Sequence, residues 1–184
     1  GGSAQRLIIV GMGKLGGGEL NVSSDIDLIF VYPEDGETRD GPRSVSNHEY
    51  FSSLGRAVIA TLAEPTAEGY VFRVDMRLRP SGQKGPVATQ LSSFVEYQSK
   101  EAWTWEHMAL TRARVVHGPK ALADRLAEAG GGRLQVLVGG QGLGFQVVQG
   151  RVGEDLPPFA TVGVLGRLGG LPAFGFGFGV GGGG

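Results

Sequence analysis

Asp25 and Asp27 stand one residue apart at the mouth of an apolar run, inside the stretch GMGKLGGGELNVSSDIDLIF from Gly11 to Phe30. Side chains alternate along a strand, so both carboxylates would point one way while Ile26, Leu28 and Phe30 point into a core. Two carboxylates on one face repel each other, and a divalent cation with oxygen ligands is the usual means of neutralising them. Asp75, inside YVFRVDMR, is placed to supply a third carboxylate from a neighbouring strand. Such a trio suits Mg²⁺-dependent displacement at phosphorus, in which bound metal clamps the attacking and leaving oxygens. Asp75 would then take the proton of the attacking hydroxyl or lower its pKa through the metal. The competing reading is structural: Asp25 caps a turn and Asp75 pairs with Arg73 or Arg77.

A glycine pair, Gly16-Gly17, precedes Asp25-Ile26-Asp27 by about eight residues, the order expected of a nucleotidyltransferase site. A backbone turn without side chains can approach a triphosphate closely, and exposed amides favour its negative charge. Lys14, Arg77 and Arg79 are candidate partners for the phosphates. The same turn also spells GxGxxG over Gly11, Gly13 and Gly16, with Glu34 near the end of the next apolar run, which raises an NAD-binding Rossmann-like module as an alternative. Gly17, Gly18, Asn21, Ser23 and Ser24 leave little sequence for the crossover helix that module needs. GxxxxGK[ST] is absent, so a P-loop is excluded. His48, His107 and His117 show no metal-ligand spacing.

The elements that must position these residues read in order. Arg6 to Val10 is a short β-branched run ending in the turn Gly11 to Gly18, and Ile26 to Tyr32 is a second strand stopped by Pro33. Ser46 to Glu49 has the capping-box pattern, and Phe51, Leu54, Val58 and Leu62 follow at helical spacing, predicting a helix from Asn47 to Ala63. Tyr70 to Arg77 alternates as a strand, with Tyr70, Phe72, Val74 and Met76 on one face and Asp75 on the other. Leu91 to about Val116 reads as helical with a break near Ser99. Phe94, Tyr97, Trp103, Trp105, Met108 and Leu110 are its expected packing residues. Lys120 to Ala129 makes one more helix. The order predicts an α+β domain, an α/β arrangement around a small mixed sheet, over residues 1–129.

The composition breaks after Ala129. About 20 of the chain's 34 glycines lie beyond it, so residues 130–184 are expected to form a disordered low-complexity tail. A net charge of −1 gives no electrostatic case for a nucleic-acid partner, and no apolar run approaches the length of a membrane span. The absence of cysteine excludes disulfides and thiolate metal sites, in keeping with a cytoplasmic protein. The opening Gly1-Gly2-Ser3, without an initiator Met, reads as the start of a fragment.

Three blocks, GMGKLGGGELNVSSDIDLIF, FRVDMRLRPSGQKGP and AWTWEHMALTRARVV, together resemble the bacterial glutamine synthetase adenylyltransferase/adenylyl-removing enzymes over roughly Leu7 to Ala129. The resemblance implies a polymerase-beta-type nucleotidyltransferase fold. It also implies Mg²⁺-dependent transfer of AMP from ATP to a tyrosine of glutamine synthetase, and phosphorolytic removal by a related domain. A PII signalling protein would regulate the balance. By position, Asp25, Asp27 and Asp75 would be the metal-binding carboxylates and Gly16 and Gly17 the phosphate-facing turn. The family has two catalytic domains where this chain has one set of motifs, so a catalytically inactive fragment is a further alternative.

Overall fold

A computed structural model describes residues 4–21, 24–39, 43–63, 65, 72–129, 162–166 and 174–178. Among these, the first strand, β1 (Ile8–Met12), leads directly into a single helical turn, α1 (Gly13–Gly16). The chain returns as β2 (Ile26–Tyr32), then forms the long helix α2 (Asn47–Ala63). Two short strands follow, β3 (Val74–Asp75) and β4 (Ala88–Gln90), separated by a 3₁₀ turn at Gly82–Lys84. Helices α3 (Leu91–Lys100) and α4 (Thr104–Leu110), strand β5 (Arg114–His117) and helix α5 (Lys120–Ala129) complete the main unit.

The sheet is mixed, as expected. Its order is β3-β2-β1-β5, with β4 also pairing β2 beyond the end of β3. β1 lies antiparallel to both β2 and β5, whereas β3 and β4 run parallel to β2. The antiparallel β1–β2 pair removes the dinucleotide alternative, because a Rossmann unit requires its first two strands to be parallel and joined by a crossover helix.

β2 is buried on both faces, which explains its nearly unbroken apolar sequence. Ile26, Leu28, Phe30 and Tyr32 pack with Phe51, Leu54, Val58 and Leu62 of α2. Ile29 and Val31 point the other way, into a second cluster with Phe94, Leu110, Val115, Ala123 and Leu126. The sheet is therefore sandwiched between α2 and the C-terminal helices. At the start of α2, Ser46 Oγ accepts the Glu49 N–H at 3.1 Å, so half of the expected capping box forms.

Several expectations are corrected. The strand predicted over Tyr70 to Arg77 is reduced to Val74–Asp75, with Tyr70 and Val71 outside the described residues. Asp75 Oδ1 accepts the Arg77 N–H at 2.8 Å, and this i-to-i+2 bond turns the backbone out of the ladder. The helical reading does not extend to Val116. Arg114–His117 is instead a strand, its β-branched pair completing the free edge of β1. Phe94 and Leu110 are buried as predicted, but Trp103, Trp105 and Met108 are 71%, 54% and 68% exposed. In the glycine-rich tail, the described residues form β6 (Val162–Gly166) and β7 (Phe174–Phe178), which pair antiparallel in a separate two-stranded sheet. The rest of that tail lies outside the described residues.

Phe30 is fully buried in β2, the strand that pairs with β1, β3 and β4. Phe30→Ala should lower unfolding stability by about 3–5 kcal/mol, read as a fall in urea midpoint by circular dichroism.

Candidate active site

The N-terminal end of β2 is where the sheet changes character. Ile26 pairs with Val74 and Asp27 with Asp75 in parallel register, so the two aspartates are cross-strand neighbours on one face. This is the face that continues into Ile29 and Val31, beyond the cover of the C-terminal helices. The Ile26 N–H donates to the Arg73 carbonyl at 2.8 Å, which fixes the register at its first rung. Asp25 precedes the strand by one residue. All three aspartates predicted from sequence thus gather at one end of the sheet.

Their environments differ. Asp25 receives both guanidinium nitrogens of Arg73, with Nε at 2.7 Å from Oδ1 and Nη2 at 2.9 Å from Oδ2. That bidentate pair draws its carboxyl below the usual range. Asp75 is held by Arg77, whose Nε lies 2.7 Å and Nη2 2.5 Å from Oδ2, and its pKa is likewise lowered. Asp27 shifts the other way. Burial is the largest cause, and the Asp75 and Asp25 charges add to it while Arg77 opposes them. Of the structural reading, the Asp75–Arg77 pair is formed, whereas Asp25, expected to cap a turn, is instead paired with Arg73. Among the described residues no three His, Cys, Asp or Glu side chains close into a metal cage. The donor set nonetheless suits a hard divalent cation. It offers Asp27 and Asp75 as cross-strand neighbours with Asp25 just before the strand, and Asp27 is disfavoured as an anion by burial first and by the other two charges after it.

The glycine turn sits directly against this group. Gly13 adopts φ +55°, and a Cβ placed there would lie 2.8 Å from Asp27 Oδ2. Gly13 therefore needs no side chain for two separate reasons, and sequence reasoning assigned it no such role. Gly16 is buried against backbone, since a Cβ would fall 1.8 Å from the Arg112 carbonyl oxygen and 2.6 Å from that of Gly11. Gly17 meets the Arg112 guanidinium, which also pairs with Glu19. Arg114 donates to the Leu15 carbonyl at 2.9 Å and ties the turn to β5. Lys14 is exposed and reaches Ser24 Oγ at 3.4 Å. Arg79 is turned away from the aspartates, donating to the carbonyls of Met76, Gln83 and Gly85 and so bracing the loop after β3.

Arg73 and Arg112 thus stand at the site although sequence reasoning gave them no functional role there. Their partners lie 48 and 93 residues away, at distances no local pattern encodes.

Residues 1–129 match the family model described as glutamate-ammonia ligase adenylyltransferase. The chain belongs to this family. Among its relatives, the bifunctional glutamine synthetase adenylyltransferase/adenylyl-removing enzyme of Ralstonia nicotianae is 58% identical over 118 residues, covering 64% of this chain and 12% of the relative. The corresponding enzyme of Nitrosomonas europaea is 54% identical over 127 residues, covering 69% and 14%. That of Rhizobium meliloti is 55% identical over 126 residues, covering 67% and 13%. The chain therefore spans about one eighth of the length of the curated adenylyltransferases it matches. No helix among the described residues is long and apolar enough to cross a membrane.

Two outcomes are expected without added divalent cation. Because its folded pKa is raised, ionised Asp27 costs stability at neutral pH, and the cost fades as pH falls through that raised value. Asp27→Asn should therefore melt higher than wild type at pH 7, with the gap closing in acid. Gly13→Ala should cost about 1–2 kcal/mol from its left-handed backbone, with added crowding of Asp27, measurable by chemical denaturation.

Proposed function

We infer that residues 1–129 form a nucleotidyltransferase catalytic unit of the polymerase-beta type, moving AMP between ATP and a tyrosine of glutamine synthetase. In the adding direction the tyrosine hydroxyl attacks the α-phosphorus of ATP and pyrophosphate leaves. In the removing direction inorganic phosphate attacks the same phosphorus, and the tyrosine leaves with ADP formed. The observation that carries this reading is the in-register Asp27–Asp75 pair with Asp25 beside it, set against a glycine turn in a chain of this family.

Asp25, Asp27 and Asp75 are the residues that would hold Mg²⁺. When bound, the ion supplies charge neutralisation at the reacting phosphate and lowers the pKa of an attacking hydroxyl. Asp75, on the neighbouring strand, is the group assigned to the hydroxyl proton. The turn around Gly17, with Lys14 and Arg77, would face the triphosphate, while Gly16, expected to share that role, is packed against the Arg112 carbonyl. Arg79 contributes by shaping the loop that carries Arg77, as its three carbonyl contacts support. Glutamine synthetase is the protein substrate named in the relatives' descriptions. A PII protein would act through parts of the longer enzyme, in the cytoplasm.

Asp27→Ala should reduce AMP transfer from labelled ATP to glutamine synthetase by about 10²-fold or more, since even groups that only orient metal ligands cost 10–100-fold when lost. Wild-type transfer by this variant would overturn the site. Failure of the unmodified chain in both directions, with its circular dichroism intact, would favour the inactive-fragment reading.

A further inference from the structure

Two guanidinium groups already sit on carboxylates that the metal-site reading requires. Arg73 grips both oxygens of Asp25 across 48 residues of chain. Arg77 grips Asp75 from two residues away. Both arginine side chains are 71% exposed. The partners differ in burial, with Asp25 37% and Asp75 14% exposed. Arg73 and Asp25 therefore form the more open of the two pairs, and theirs joins the lead-in residues of β2 and β3.

The geometry points to Arg73 as a displaceable counter-ion of the aspartate site, occupying Asp25 until a divalent cation arrives and then turning its guanidinium toward the phosphates that accompany it. This rests on the nucleotidyltransferase reading and adds to it a positioning residue. The charge balance gives the reason. Three carboxylates against two guanidinium groups leave about one net negative charge, so a cation arriving alone must compete with arginines already seated. A nucleoside triphosphate brings acceptor oxygens whose fork geometry suits a released guanidinium as well as a carboxylate does. Cation and triphosphate should then each favour binding of the other, with Arg73 carrying part of the coupling. Arg77 is less suited to the role, because the backbone N–H of the same residue also holds Asp75 and keeps the two together.

Mn²⁺ binding to the full chain, followed by the electron paramagnetic resonance of free Mn²⁺ with and without a non-hydrolysable ATP analogue, tests this. Arg73→Gln should bind Mn²⁺ alone roughly two- to fivefold more tightly than wild type, the range set by the loss of a solvent-exposed ion pair. It should also show a smaller gain in Mn²⁺ affinity when the analogue is added. Arg73→Lys, which keeps the charge, should lie between the two. The effect of Arg73→Gln should vanish in an Asp25→Asn background. Unchanged or weaker Mn²⁺ binding by Arg73→Gln, with its melting curve intact, overturns the counter-ion role. Asp27→Asn reports on the underlying site: if it binds Mn²⁺ as wild type does, or if no variant binds the ion, the metal-site reading itself fails.

Discussion

The pairing of Ile26–Asp27 with Val74–Asp75 is the contact on which the aspartate end of this molecule depends. It is only two residues long on the β3 side, yet it decides that carboxylates separated by 48 positions share a face. A slip of one residue would send Asp75 to the side occupied by α2 and bury it in the apolar cluster around Leu62. What resists the slip is the alternation itself. Val74 is partly buried against the apolar cluster under α2, and exchanging it with Asp75 would put a charge there. The hydrogen bond from Ile26 to the Arg73 carbonyl adds a backbone lock.

The central strand translates this local arrangement into the whole fold. Over Leu28 to Tyr32 it has apolar neighbours above and below, and it carries partners along both edges. At Asp25 and Asp27 the cover stops. A strand that is core for most of its length and polar at one end puts charged groups on a rigid base, which loops alone do not provide. β5 completes the arrangement from the other side by joining β1, and Arg112 and Arg114 at its start reach back to the glycine turn.

Local pattern made much of this legible. The helix Asn47–Ala63 and the strand Ile26–Tyr32 follow from periodicity and from flanking residues such as Ser46 and Pro33. Lys120–Ala129 is equally legible. The elements that escaped are those whose conformation comes from distant partners. Arg114–His117 is too short to read as a strand until it meets β1, and Ala88–Gln90 until it meets β2. Trp103, Trp105 and Met108 looked like core by residue type, yet the helix they sit on is buried through Glu106 and Leu110 instead. Glu106 accepts from the Tyr97 hydroxyl and from the Trp103 N–H, an arrangement that hydropathy gives no means of anticipating. At the site, the three aspartates and the local Arg77–Asp75 pair were legible from spacing, while the Arg73–Asp25 pair depends on a contact made only in the folded chain.

The exposure of α4 has an optical consequence. Trp103 and Trp105 are the only tryptophans in the chain, and both already face water in the folded state. Their emission should lie near the red limit for indole before any denaturant is added, and losing the sheet should shift it little. The tryptophans therefore serve as reporters of whatever covers that helix face, while remaining nearly blind to melting of the core.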